Sequence, residues 1–295
     1  MAMLTQGPDA DTRTPAFRCP PGTIDSHIHL FGPQELYPFD PASYYTSVDQ
    51  TPETHGELMG KLGISRAVVV SAGGYGRNPG HLADVLTRFP DRYRGIALVP
   101  DDITSTEITR LGKLGVRGIR FMTDSRGGLL PTISARVAAR IFEHGWHVQF
   151  YPHGADIDDV ADRLLALPNI IVLDHFASIP AERGVDQPAM RTLRRLLDTG
   201  RVWIKLSGPM RCMPGDFPYA ALTPIAHALV AHAPERLVWG SDWPHVNMDG
   251  RGMPNDGDLV DMIPVWIEDP ARQRQILIDN PSRLYGFAAV ATPGG

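Results

Sequence analysis

The stretch TIDSHIHL, residues 23–30, decides the fold of this chain. It is a short run, rich in β-branched residues, that carries His27 and His29 near its carboxyl end. Successive side chains on a strand point to opposite faces, so both imidazoles are expected to point the same way. Functional groups at the carboxyl end of a strand are typical of a parallel barrel, where catalysis occurs at that end of the strands.

Seven more runs of this kind follow, separated by segments of helical period such as Ala155–Leu167 and Gln187–Thr199. The predicted strands are Thr23–Leu30, Ser65–Ser71, Gly95–Val99, Gly118–Met122, His147–Tyr151, Ile170–His175, Val202–Ser207 and Leu237–Asp242. Four glycines are placed where helices should end in a left-handed residue, namely Gly63, Gly115, Gly145 and Gly200.

This pattern predicts an α/β protein made of a single (β/α)8 TIM barrel over residues 21–290. Residues 1–20 are expected to form a flexible lead-in. A doubly wound open sheet is the alternative, but no G-x-G-x-x-G follows the first strand to support nucleotide binding.

Composition limits the partners and the compartment. The chain has 295 residues, 43% of them hydrophobic, and a net charge of -5, which argues against a nucleic-acid partner. No apolar stretch is long enough to span a bilayer, and the first residues lack a signal-peptide pattern. The two cysteines, Cys19 and Cys212, lack C-x-x-C spacing, which favours a reducing compartment. We predict a cytoplasmic protein without nucleic-acid or membrane partners, and nothing in the sequence sets its oligomeric state.

Polar residues also end two later strands, in LDH at 173–175 and GSDWPH at 240–245. We predict that His27, His29, His175 and Asp242 converge on one catalytic site. An ionised Asp242 can take a proton from water as that water attacks a carbonyl carbon. The histidines can hold a divalent cation that polarises the carbonyl, or they can hydrogen-bond its oxygen directly, and the residues alone leave both routes open.

These motifs, together with GVRGIRF at 115–121 and DNPSRLY at 279–285, resemble the amidohydrolase superfamily over nearly the whole chain. The more specific resemblance is to the branch that contains 2-pyrone-4,6-dicarboxylate lactonase. It implies a carboxylic-ester (lactone) hydrolase of aromatic-compound catabolism that works without a metal. It also implies substrate-binding roles for a set of arginines and tyrosines, namely Arg120, Arg126, Arg211, Tyr151 and Tyr45.

The expected ligands of a two-metal site are missing. Many superfamily members carry Lys or Glu on the fourth strand and His on the fifth, where this chain has Arg120 and Tyr151. An arginine cannot ligate a cation. We therefore predict that no cofactor is required. The alternative is one zinc ion held by the three histidines and Asp242, with His153 as a further ligand.

Three arginines near the predicted barrel mouth, Arg120, Arg126 and Arg211, predict a binding site for anionic groups. The resemblance to the lactonase branch implies that the substrate is a small dianionic cyclic ester such as 2-pyrone-4,6-dicarboxylate. A sulfomuconolactone or an aldarolactone satisfies the same arginines, and the loop Ser71–Asn78 can reshape the pocket. The pattern is also compatible with a lactone isomerase, with a zinc-dependent decarboxylase on the same barrel, and with a barrel that binds carboxylates without catalysis.

Overall fold

Eight parallel strands form one sheet in which each strand pairs with its neighbours in chain order. The structure, a computed structural model, describes residues 2–122, 134–152, 156–213, 215, 217–248 and 252–288. The strands are β1 (Ile24–Ile28), β2 (Arg66–Val70), β3 (Tyr93–Ala97), β4 (Val116–Met122), β5 (His147–Tyr151), β6 (Ile171–Leu173), β7 (Val202–Ser207) and β8 (Leu237–Gly240). The predicted barrel is confirmed.

The barrel closes between its first and last strands. Asp242 N donates to His27 O at 2.9 Å, and His29 N donates to Trp243 O at 2.8 Å. Gly240 lies at this seam, where an added Cβ would come within 2.8 Å of His27 N. The backbones of β1 and β8 therefore meet at the residues that were predicted to be catalytic.

Helices lie between consecutive strands and after β8. They are α1 (Pro52–Leu62), α2 (Gly80–Arg88), α3 (Ser105–Leu114), α4 (Ala135–Phe142), α5 (Asp156–Leu165), α6 (Pro188–Asp198), α7 (Thr223–His232), α8 (Asp256–Trp266), α9 (Pro270–Arg274) and α10 (Asn280–Tyr285). The four predicted helix-ending glycines all have positive φ, with values of 73° at Gly63, 114° at Gly115, 70° at Gly145 and 69° at Gly200. Within the described ranges, no helix is long and apolar enough to cross a membrane.

Alternation along β7 shows how the strands serve both the core and the site. Ile204 and Leu206 are fully buried in the main hydrophobic cluster. Lys205 and Ser207 point to the other face of the strand and contact histidines in the barrel interior. The apolar face stabilises the barrel through burial, and the polar face supplies the site.

Residues that precede the first barrel strand contact later parts of the chain. Met3–Leu4 pairs in parallel with Tyr45–Thr46. Arg13 N donates to Asn255 Oδ1 at 2.9 Å, its guanidinium pairs with Asp258, and Phe17 N donates to Asp261 Oδ1 at 2.7 Å. The division of the chain at residue 20 stays a prediction.

Candidate active site

Three of the predicted catalytic residues, His29, His175 and Asp242, follow their strands instead of lying in them. The sequence pattern extended β6 to His175 and β8 to Asp242, but the strands end at Leu173 and Gly240. His175 has φ of 50° and Asp242 has φ of 69°. Left-handed backbone costs a non-glycine residue roughly 1–2 kcal/mol, and such strain gathers at functional sites. The turn after each of these two strands sets the direction of the side chain. Strand alternation does not apply to His175 and Asp242 and could not have predicted that direction.

The four predicted catalytic residues meet around one carboxylate oxygen. Asp242 Oδ1 lies 3.6 Å from His27 Nε2 and 3.7 Å from the Nε2 atoms of both His29 and His175. All four side chains are almost completely buried. Asp242 Oδ1 makes no hydrogen bond within the described part of the chain. An acceptor left unpaired in the interior costs about 1–3 kcal/mol, so this oxygen is suited to accept a hydrogen from a bound molecule.

Arg211 holds the other oxygen of Asp242. Its Nε donates to Asp242 Oδ2 at 3.0 Å, and its terminal nitrogens donate to the carbonyls of Val246 at 2.7 Å and Asn247 at 3.1 Å. Burial acts to raise the pKa of Asp242, but the neighbouring His175 and Arg211 outweigh it and hold that pKa well below the usual aspartate range. Asp242 is therefore ionised and its Oδ1 is aimed at the imidazoles.

Burial favours the neutral form of the site histidines. Burial lowers the pKa of His29 and of His175 to about 4. His29 Nδ1 lies 2.8 Å from Val70 O, and since a carbonyl only accepts, this nitrogen donates and Nε2 presents a lone pair to the site. His175 Nδ1 lies 3.0 Å from Ser207 Oγ, which fixes the ring.

A buried polar group behind His27 was not predicted. It consists of Lys205, Asp174 and Gln149, all of which are fully buried. Lys205 Nζ lies 3.2 Å from His27 Nδ1, and burial lowers the pKa of this lysine to about 8. The available signal was Lys205 itself, a lone lysine inside the apolar strand VWIKLS, because lysines are almost never fully buried without a partner.

Arg120 connects this buried group to the predicted substrate pocket. Its Nε donates to Asp174 Oδ2 at 3.0 Å, and its guanidinium lies 5.2 Å from the ring centroid of Tyr151. The Tyr151 ring in turn lies 5.0 Å from that of His175. Within the described ranges, the two terminal nitrogens of Arg120 make no hydrogen bond. Arg120 can therefore bind an anion while Asp174 holds its Nε.

Tyr45 lies in an aromatic cluster near these arginines. Burial raises its pKa to about 12, and its hydroxyl accepts from Gly74 N at 3.1 Å. Gly74 belongs to the loop Ser71–Asn78, which therefore packs directly on a predicted pocket residue. Arg126 and His153, two further predicted site residues, lie outside the described residues.

Three of the predicted ligands are spaced as a single metal ion requires. One ligand atom each of His27, His175 and Asp242 lies within 4.8 Å of the others. Tetrahedral zinc with ligands near 2.1 Å would separate these atoms by about 3.4 Å. The spacing of these atoms fits one ion. The fit of the donor set depends on the tautomer of His27, because its Nδ1 atom lies 3.2 Å from both the Lys205 ammonium and Asp174 Oδ1, and a proton on Nε2 would block ligation.

The barrel presents an ionised carboxylate and three imidazoles at its strand ends. This arrangement defines the class of barrel hydrolases, in which an activated water molecule attacks a carbonyl carbon. Within that class, the chain belongs to the amidohydrolase family, whose profile matches residues 24–287.

Named relatives span almost the whole chain. The 4-sulfomuconolactone hydrolase of Rhizobium radiobacter is 36% identical over 292 residues, which cover 95% of each chain. The 2-pyrone-4,6-dicarboxylate hydrolase of Comamonas testosteroni is 34% identical over 290 residues, which cover 94% of each chain. A crystal structure from Agrobacterium tumefaciens has a TM-score of 0.85 at 26% identity and covers 94% of this chain and 100% of that one.

Proposed function

We propose that this protein is a cytoplasmic lactonase that opens a small dianionic cyclic ester, most like 2-pyrone-4,6-dicarboxylate, without a metal. The observation that carries the proposal is the buried Asp242 Oδ1, which is ionised, has no hydrogen-bond partner within the described residues and is surrounded by three imidazoles. The two lactone hydrolases described above support a cyclic ester as the substrate.

The proposed reaction uses the two oxygens of Asp242 differently. Arg211 holds Oδ2, and Oδ1 takes a proton from water as the water oxygen bonds to the lactone carbonyl carbon. His27, His29 and His175 surround this point, and an imidazole N–H among them stabilises the negative charge that develops on the carbonyl oxygen. The ring C–O bond then breaks, and the leaving ring oxygen receives the proton from Asp242. The products are a carboxylic acid, which loses its proton to solvent to become a carboxylate, and a free hydroxyl or enol.

The charged groups of the pocket support a substrate that carries two negative charges. Arg120 offers its terminal nitrogens beside Tyr151, and Arg126 and Arg211 are the other proposed ligands of the acidic groups. The donors of Arg211 are directed at Asp242 and two carbonyls, so we assign it a second role, which is to orient the base. Each hydrogen bond between an arginine and an acidic group of the substrate stabilises the bound state by roughly 1.5–3 kcal/mol.

Removal of divalent metal is expected to leave activity unchanged. The reason is that hydrogen bonds from the site imidazoles take the place of Lewis-acid assistance in the proposed reaction. The measurement is lactone hydrolysis after dialysis against EDTA, with metal content determined on the same sample. Loss of activity that zinc restores would instead support a zinc enzyme, with His27, His29, His175 and Asp242 as ligands.

Replacing Arg120 by Met should lower kcat/KM for a dicarboxylated lactone roughly 10- to 150-fold, the equivalent of one charged hydrogen bond. A monocarboxylated analogue without the matching acid should lose much less, because the deleted interaction was never made. Arg136→Met serves as the control, since Arg136 is exposed on α4. Equal losses on both substrates would mean that Arg120 acts only through Asp174, and the dianion assignment would be wrong.

Reactions closely related to the proposed one differ in the anionic group of the substrate or in what happens to the lactone ring. A panel of 2-pyrone-4,6-dicarboxylate, 4-sulfomuconolactone, an aldarolactone and a neutral lactone separates them. Products distinguish ring opening from isomerisation and from decarboxylation. Activity on the neutral lactone alone would contradict the proposed role of the arginines.

A further inference from the structure

Three polar groups surround the ammonium group of Lys205. Its Nζ lies 2.8 Å from Gln149 Oε1, 3.2 Å from His27 Nδ1 and 3.3 Å from Asp174 Oδ1. A lysine ammonium has three donors and no acceptor. A fully buried lysine needs such partners to offset its desolvation, and the barrel interior supplies all of them.

His27 Nδ1 lies between a donor and an acceptor, 3.2 Å from Lys205 Nζ and 3.2 Å from Asp174 Oδ1. It cannot accept from the lysine and donate to the aspartate at the same time. The lysine contact has the geometry of a hydrogen bond, whereas Asp174 Oδ1 receives no hydrogen bond of acceptable direction within the described residues. Asp174 is already held at its other oxygen by Arg120 Nε and Gln149 Nε2, both at 3.0 Å.

We infer that Lys205 holds His27 in the tautomer whose proton is on Nε2, the nitrogen that faces the reacting atoms. The surrounding contacts agree with this assignment. His27 Nε2 lies 3.4 Å from His29 Nε2, which presents a lone pair because His29 Nδ1 donates to Val70 O. The hydrogen bonds then run in one direction, from Lys205 through His27 and His29 to Val70, with one acceptor for every donor.

This tautomer gives His27 a defined role in the metal-free reaction, on which the inference rests. An Nε2–H donates to the developing oxyanion, and the same proton occupies the lone pair that a metal ion would need. Lys205 is therefore a positioning residue. It makes His27 a hydrogen-bond donor in a barrel whose ligand spacing otherwise suits one divalent ion.

The tautomer can be read directly in the wild-type protein. Two-bond ¹H–¹⁵N correlation spectra of ¹⁵N-labelled protein, with His27 assigned by comparison with His27→Gln, should show a pyridine-type Nδ1 and a pyrrole-type Nε2. The opposite pattern, with the proton on Nδ1, would overturn the inference. This measurement needs no substrate, so it stands apart from the identity of the lactone.

The substitution Lys205→Met tests the consequence. Without the ammonium, Nδ1 is free to donate to Asp174, and the Nε2 lone pair becomes available to a metal. Groups behind metal ligands typically change affinity about 10- to 100-fold. We expect Zn²⁺ alone, titrated by calorimetry, to bind Lys205→Met tighter by such a factor, while metal-free kcat falls and KM for the dianionic lactone stays nearly constant.

Lys113→Met is the matched control, because Lys113 is exposed on α3, and it should bind Zn²⁺ as the wild type does. The added affinity of Lys205→Met for Zn²⁺ must also disappear when His27→Gln is combined with Lys205→Met. Unchanged or weaker Zn²⁺ binding by a folded Lys205→Met protein would overturn the inference. If no dianionic lactone is hydrolysed while His27 carries its proton on Nε2, the proposed substrate is wrong and the assignment of the tautomer holds.

Discussion

Asp242→Asn is expected to lower kcat for lactone hydrolysis about 10²- to 10⁴-fold, the usual cost of losing one general base. The substitution keeps the shape of the side chain, and its amide oxygen can still accept from Arg211 Nε, which lies 3.0 Å from Oδ2. What it replaces is Oδ1, the atom that lies within 3.7 Å of three imidazoles and has no hydrogen bond within the described residues. The fold and KM should therefore change little.

Steady-state kinetics and the thermal midpoint of unfolding check this expectation together. Asp162→Asn is a suitable control, because Asp162 is an exposed carboxylate paired with Arg195. If Asp242→Asn retained a kcat near that of the wild type, the proton would have to go to a histidine, and Asp242 would serve only to orient the site.

Gly208→Ala should lower kcat about 10²- to 10³-fold, comparable to the loss of one oxyanion donor. Gly208 has φ of 53°, and an added Cβ would lie 2.5 Å from His175 Nδ1 and 3.0 Å from Arg211 Cγ. His175 would have to shift, which would disturb its contact with Ser207 Oγ at 3.0 Å and its position 3.7 Å from Asp242 Oδ1. One methyl group beside the site thus tests whether the position of His175 matters.

Gly145→Ala separates this displacement from backbone strain. Gly145 has φ of 70°, and an added Cβ there meets nothing within 4 Å. Both substitutions carry the left-handed penalty of roughly 1–2 kcal/mol. Both should therefore lower stability, but only Gly208→Ala should lower kcat in the fraction that stays folded. Equal kcat values for the two variants would show that the position of His175 is not critical.

Local pattern was sufficient to predict the barrel and to bring its candidate site residues together. Strand alternation and helix-ending glycines are properties of neighbouring residues, so the eight strands, helices α5 and α6, and the four left-handed glycines could all be predicted from sequence. His27, His29, His175 and Asp242 could be placed together because the carboxyl ends of parallel barrel strands meet at one mouth. The roles of these residues and of Arg126 remain predictions.

Other features depended on contacts between residues far apart in the chain, which no local pattern encodes. Lys205 contacts His27 across 178 positions, and Arg211 holds Asp242 across 31. The sequence could predict that histidines face the site. The tautomer that we infer for His27 depends on the tertiary structure, because closing the barrel brings the ammonium of β7 against the imidazole of β1 in a water-excluded interior, where each donor must find an acceptor.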